Sequence, residues 1–226
     1  MNSNDVDFPE LQLTEILRLR PTQLAVGMQQ VKCKANKIKK KCAACQRKKL
    51  DRFLKNKPLP IVKGPRGVLY IVDHHHLCCA LHQLGVTQAY VKVIKDWSAK
   101  GENDFWQDMQ RGGYLWLHGP AGEPLSVGEM LRRLPRDITG LDDDPYRSLA
   151  ALVRKAGGYC KDWTPFSEFR WANYFRELLP EASQDPARPE TIACAVKLAA
   201  EPSALGLPGH LLGTKSDLCS QAIRYS

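Results

Sequence analysis

Along the first hundred positions the spacing of apolar residues changes several times, and each change marks an element. Residues 11–17 mix leucine with β-branched residues and read as a short strand or turn, and Pro21 biases Arg20 toward extended backbone. From Met28 the positions Val31, Ala35, Ile38, Cys42 and Cys45 recur at steps of three and four, the stripe of a long helix closed by Leu50, Phe53 and Leu54. Lys57-Pro-Leu-Pro60 breaks it. Ile61-Val62 opens a strand, Gly64-Pro-Arg-Gly67 is a turn and Val68-Leu-Tyr-Ile-Val72 a second strand, which together predict a β-hairpin. Asp73 ends that strand and is placed to cap a helix bearing Leu77, Ala80, Leu81 and Leu84, with Gly85 as its stop. Residues 86–94 alternate well enough to form a third strand.

Beyond this point the pattern is mainly helical. Helices are predicted over residues 103–109, 126–134, 145–156, 164–179 and 190–199, and Thr164-Pro165 supplies a hydroxyl cap with proline at the first helical position. Residues 202–213, rich in Gly and Pro, read as loop. The expected fold is therefore α+β: a small mixed β-sheet with a long basic helix and a histidine-started helix over residues 1–98, followed by a mainly helical half, residues 99–226, packed on that core.

Charge changes the picture because it is local. The chain carries a formal net charge of +9, and residues 32–55 hold eleven Lys/Arg against the single acid Asp51, so the rest sums to about −1. Lys39, Lys40, Lys41, Arg47 and Lys48 form the centre of a patch that suits a polyanion or phosphorylated ligand; a solvated helix face without a ligand has the same composition. The eight cysteines read mostly as reduced thiols. Cys42 and Cys45 form a CxxC pair, but both fall on the apolar stripe and no second pair completes a zinc site, which favours packing over metal or redox chemistry. The N-terminal residues lack a basic and apolar leader pattern and no window holds eighteen uninterrupted apolar residues, so a soluble cytoplasmic protein with no membrane partner is expected.

The chemistry concentrates in Asp73-His74-His75-His76. A helix start offers unpaired backbone N–H groups and the positive end of the dipole, a setting for phosphate. Imidazoles there can donate to phosphate, act as acid or base, or ligate metal. Asp73, His75 and His76 are the catalytic candidates, His74 a phosphate ligand, and Asp73 a ligand for a divalent ion such as Mg²⁺ or Mn²⁺. Lys63, at the end of the first hairpin strand, could reach a phosphate across the hairpin. The bland alternative is a capping Asp followed by histidines bonded locally on a surface turn.

The stretch from Pro58 through Ile71-Val-Asp-His-His-His-Leu-Cys-Cys-Ala-Leu81 resembles the ParB-like nuclease family, a branch of the ParB/sulfiredoxin superfamily. Leu19-Arg-Pro-Thr-Gln-Leu-Ala-Val-Gly-Met28 is similar to its N-terminal box, and Pro165-Phe-Ser-Glu-Phe-Arg-Trp-Ala172 to its helical C-terminal half. The resemblance implies a nucleotide or phosphate where the strand meets the histidine helix, with Arg20 and Gln23 beside it. Glu168 and Arg170 also match family positions, although an intrahelical surface role explains them. In related free-serine kinases the turn reads Asp-Gly-His-His-Arg. This chain keeps Asp73, His75 and His76, has His74 for the glycine and Leu77 for the arginine, and lacks the sulfiredoxin cysteine at position 74.

These readings predict a phosphoester hydrolase or nuclease acting on nucleic acid or a nucleotide. A nucleotide-dependent small-molecule kinase or NTPase, using ATP or CTP at the same turn, and a non-catalytic nucleotide or DNA-binding module remain alternatives. No Walker loop or dinucleotide glycine fingerprint is present to decide among them.

Overall fold

The computed structural model describes residues 11–42 and 47–211, with the side chains of residues 41–47 outside that description. The Cys42/Cys45 pair and the side chains of Lys41 and Arg47 therefore lie outside the described part. Two compact units are distinguished. One holds the described residues of Met1–Leu24, Val31–Gly119 and Pro124–Asp142; the other holds those of Ala25–Gln30, Pro120–Glu123 and Asp143–Ser226.

The first unit is built on a five-stranded mixed sheet. Its strands are β1 (Gln12–Glu15), β2 (Leu19–Arg20), β4 (Leu59–Lys63), β5 (Leu69–Ile71) and β6 (Gln88–Asp96), in the order β1-β6-β4-β5-β2. A short pair, β3 (Ala25–Val26) and β7 (Asp142–Asp143), forms a separate ladder. The hairpin is antiparallel with Ile61 opposite Ile71 and Lys63 opposite Leu69, as the turn chemistry predicts. The third expected strand, β6, pairs in parallel with β4, Leu59 opposite Val91. β2 runs parallel to β5, with Arg20 opposite Tyr70.

Side chains alternate across this sheet. On one face Val62 and Tyr70 pack against Phe105, Trp106 and Met109 of α4 (Glu102–Arg111) and Met130 of α5 (Val127–Arg133). On the other, Leu19, Leu59, Ile61, Ile71 and Val91 are completely buried. The basic segment is helical as α1 (Met28–Cys42) and α2 (Arg47–Lys55), and Val31, Ala35 and Ile38 form the buried stripe that their spacing predicts. α3 (His75–Gln83) follows β5, and its residues 75–81 are all buried.

The second unit packs α6 (Pro145–Lys155), α7 (Ser167–Leu178) and α8 (Pro189–Ala199) around Trp171, Phe175, Tyr159, Leu149 and Val153. The Tyr159 and Trp171 rings stack with centroids 4.3 Å apart. Asp144 caps α6 by accepting the Arg147 N–H at 3.1 Å and also takes the Arg176 guanidinium at 2.8 Å. Burial raises its pKa while Arg176 lowers it. Glu168 joins this network: its carboxylate meets Arg147 at 3.4 Å and Arg154 at 3.3 Å. It thus links α7 to α6, where an intrahelical surface role was expected. α7 begins later than Thr164-Pro165 predicts. Phe166, at φ 59°, precedes the helix, while the Thr164 N–H is taken by the Asp162 carboxylate. The C-terminal stretch expected as loop carries one 3-10 turn, Pro202–Ala204.

Cys33, Cys78, Cys79 and Cys194 are free thiols, whereas Cys160 is disulfide-bonded. No described helix is long and apolar enough to cross a membrane.

Gly64 is required for room. A Cβ there would meet Tyr70 Cε2 at 2.6 Å and Phe105 Cζ at 2.8 Å. Gly64→Ala is expected to cost about 1–3 kcal/mol by overpacking, measured by chemical denaturation.

Candidate functional site

At the junction of β5 and α3 the chain makes one unusual step. His74 has φ 66° and ψ 20°, the left-handed region, and occupies the N-cap position that Asp73 was expected to hold. Asp73 instead accepts the His74 backbone N–H on Oδ1 at 2.6 Å, and its Oδ2 lies 3.8 Å from His74 Nε2. The left-handed bend costs about 1–2 kcal/mol for an L-residue, and the Asp73 bond offsets part of it. The His74 carbonyl then accepts the Leu77 and Cys78 N–H groups, both at 2.9 Å. The amides of His75 and His76 are the first of α3, and groups at these positions have no partner inside a helix.

The three histidines, equivalent on paper, are placed differently. His75 is 3% exposed. Its Nε2 accepts the Thr22 backbone N–H at 3.3 Å, and the ring also hydrogen-bonds the Ile71 carbonyl. The same carbonyl accepts Thr22 Oγ1 at 3.0 Å. Burial pushes the His75 pKa down to about 4, so the ring is neutral at pH 7. It ties the end of β5 to the segment after β2. His76 is 8% exposed. His74 is the open one, with 38% of its side chain exposed, beside Asp73 at 76%. Its Nδ1 is itself buried and has no hydrogen-bond partner.

Arg20 does not reach the turn through its backbone; it is level with Tyr70, three residues earlier, and its guanidinium faces the Tyr70 hydroxyl, whose pKa burial raises. Its Nε is unpartnered. Gln23 is buried at 3% exposure. Thr22, of the same box, touches the histidine turn, and it carried no signal in sequence because a threonine after proline is ordinary in any loop. Lys63 is opposite Leu69, at the other end of the hairpin from Asp73, with Asp96 at 3.7 Å. The hairpin does not bring it to the turn.

The basic helix does share the turn's end of the sheet. The Val72 N–H bonds the Pro60 carbonyl, so Asp73 comes level with Leu59, which pairs with Val91. Two strand spacings make that separation roughly 10 Å. Next to Val91, Tyr90 donates to Asp51 of α2 at 2.9 Å, and Lys55 Nζ lies 5.4 Å above its ring. Lys39, Lys40 and Lys48 are exposed.

The donor set does not make a metal site. Asp73 and His74 are two ligands, and among the described residues no group of three His, Cys, Asp or Glu side chains could hold an ion.

A family model described as "Putative ParB-like nuclease" matches residues 13–177. The chain belongs to this ParB-like family. The matched region contains the N-terminal box, the hairpin and the histidine turn. A solved structure, protein Atu1540 from Agrobacterium tumefaciens, is 35% identical to this ParB-like chain with a TM-score of 0.79, covering 92% of this chain and 100% of that one. No curated protein matches the sequence.

The neutral, buried His75 predicts a pH effect. Its folded pKa lies below the ordinary value of 6.5, so the unfolded state takes up the proton first as pH falls. The stabilisation is complete above 6.5 and is lost between 6.5 and about 4, on the order of 3 kcal/mol. His75→Gln, which keeps an acceptor and a donor without titrating, is expected to flatten that part of the stability profile. At the next position, His74→Gly is expected to raise stability by about 1 kcal/mol through relief of the left-handed strain, read as a higher Tm.

Proposed function

We propose that this ParB-like protein holds a phosphate of a nucleotide or nucleic acid at the 73–76 turn and hydrolyses a phosphoester there. The observation that carries this reading is the left-handed His74. It opens the N-terminus of α3, and its partly exposed ring sets Nε2 3.8 Å from the Asp73 carboxylate, while its Nδ1 is buried without a partner. The first amides of α3 and the positive dipole end bind the phosphate oxygens. His74 acts as the acid/base: it takes a proton from the attacking water as the water oxygen bonds to phosphorus and the bond from phosphorus to the leaving oxygen breaks, and it passes that proton to the leaving oxygen. His75 holds the frame and does not titrate near neutrality. His76, the third histidine of the turn, flanks the phosphate.

The lysines of α1 and α2 favour a polyanion over an isolated phosphate group. Each Lys or Arg that neutralises a phosphate contributes about 0.9 to the slope of log affinity against log salt.

The test sets strand cleavage and phosphate release side by side, with single- and double-stranded DNA, ATP and CTP, for the wild type and His74→Ala. Cleavage of DNA that falls at least tenfold in the variant is expected. Nucleotide turnover without strand cleavage would shift the reading to a nucleotide-dependent phosphotransferase at the same turn, and no turnover of any substrate would contradict hydrolysis. Replacing Lys39, Lys40 and Lys48 together with Gln is expected to lower the salt slope of DNA binding by about 2–3, measured by fluorescence anisotropy.

A further inference from the structure

The loop between α6 and α7 displays an indole that the proposed hydrolysis does not use. Trp163 is 84% exposed, more than any other large apolar side chain among the described residues, whereas Trp171 and Trp106 are buried in their cores. Lys161 lies on one face of the ring, its Nζ 4.0 Å from the centroid. With so little of the indole covered, the opposite face is open to solvent.

The loop is pinned on both sides of this residue. The Asp162 carboxylate accepts the Thr164 N–H at 2.6 Å, closing a turn around Trp163, and the Thr164 carbonyl accepts the Ser167 N–H at 3.2 Å. Upstream, the Cys160 N–H donates to the Gly209 carbonyl at 2.8 Å, and the next carbonyl back, that of Pro208, accepts the indole N–H of the buried Trp171 at 2.8 Å. The ring is thus presented on a backbone already held in place, so a planar ligand meets it without first ordering the loop.

Charge narrows the ligand. Residues 154–170 contain two acids, and both are engaged: Asp162 by the Thr164 amide, Glu168 by Arg147 and Arg154. Lys155, Lys161 and Arg170 of the same stretch are exposed, and no carboxylate among the described residues pairs with them. An apolar partner would have to cover these cations. A nucleic-acid strand offers a base to the open face and phosphates to the cations.

We infer that Trp163 is a stacking point for a base of single-stranded nucleic acid, with Lys161 beside it for the adjoining phosphate. A duplex keeps its bases stacked on one another and gives the ring no such face. The choice of a strand rests on the nucleic-acid ligand proposed above and not on hydrolysis at the 73–76 turn, and it assigns the second unit a part in binding.

The experiment follows, by fluorescence anisotropy, the binding of a labelled single-stranded oligothymidylate, an abasic strand of the same length and a duplex to the wild-type chain, to Trp163→Leu and to Trp163→Phe. Circular dichroism verifies folding. Stacking predicts that Trp163→Leu weakens oligothymidylate binding about fivefold or more, while Trp163→Phe keeps most of it. It also predicts that the abasic strand and the duplex bind both variants as they bind the wild type. If Trp163→Leu leaves oligothymidylate affinity unchanged, or lowers that of the abasic strand equally, the stacking inference is overturned and the polyanion reading stands. If the wild type binds none of the three, both fail. A wild-type dimer in light scattering that Trp163→Leu dissociates would assign the indole to a second copy and overturn the inference as well.

Discussion

A single buried imidazole holds the candidate site together. His75 receives a main-chain N–H from Thr22 and hydrogen-bonds the carbonyl of Ile71, joining the segment after β2, the end of β5 and the first turn of α3. Both partners are backbone groups in an interior that excludes water, where an unpaired donor or acceptor costs about 1–3 kcal/mol. A charged ring could not accept the Thr22 bond, so the environment that makes His75 a good tie also keeps it neutral. The turn is then free to expose His74, because its neighbour secures the helix from within.

This division of labour explains the strained backbone. With His75 anchored inside and β5 committed to the sheet, one residue must reverse the chain between them, and that residue is His74 at φ 66°. A histidine accepts the conformational cost and adds an imidazole, next to a carboxylate, at the mouth of the helix dipole.

Much of this was legible in the sequence. The Gly64-Pro-Arg-Gly67 turn between apolar runs gave the hairpin, and the spacing of Leu77, Ala80 and Leu81 gave α3, because both signals are local. Non-local pairing was not readable: nothing in Leu19-Arg20 says that it lies parallel to β5, yet that pairing delivers Thr22 to the turn. Lys63 was misjudged because the antiparallel register carries it four residues away from the level of Asp73, which only pairing reveals. Nor does a run of three histidines say which one turns inward; that depends on where the Thr22 N–H and the Ile71 carbonyl fall. At Thr164-Pro165 the cap signal lost to another local arrangement: the Asp162 carboxylate, two residues earlier, takes the threonine amide, and Phe166 makes the left-handed bend before the helix.

The most direct measurement of the central claim is amide chemical-shift mapping of the ¹⁵N-labelled chain during titration with inorganic phosphate and then ATP. The account predicts that the His75 and His76 amides move first and saturably, with the His74 ring following. Saturable shifts confined to other residues, or none at the turn, would contradict it.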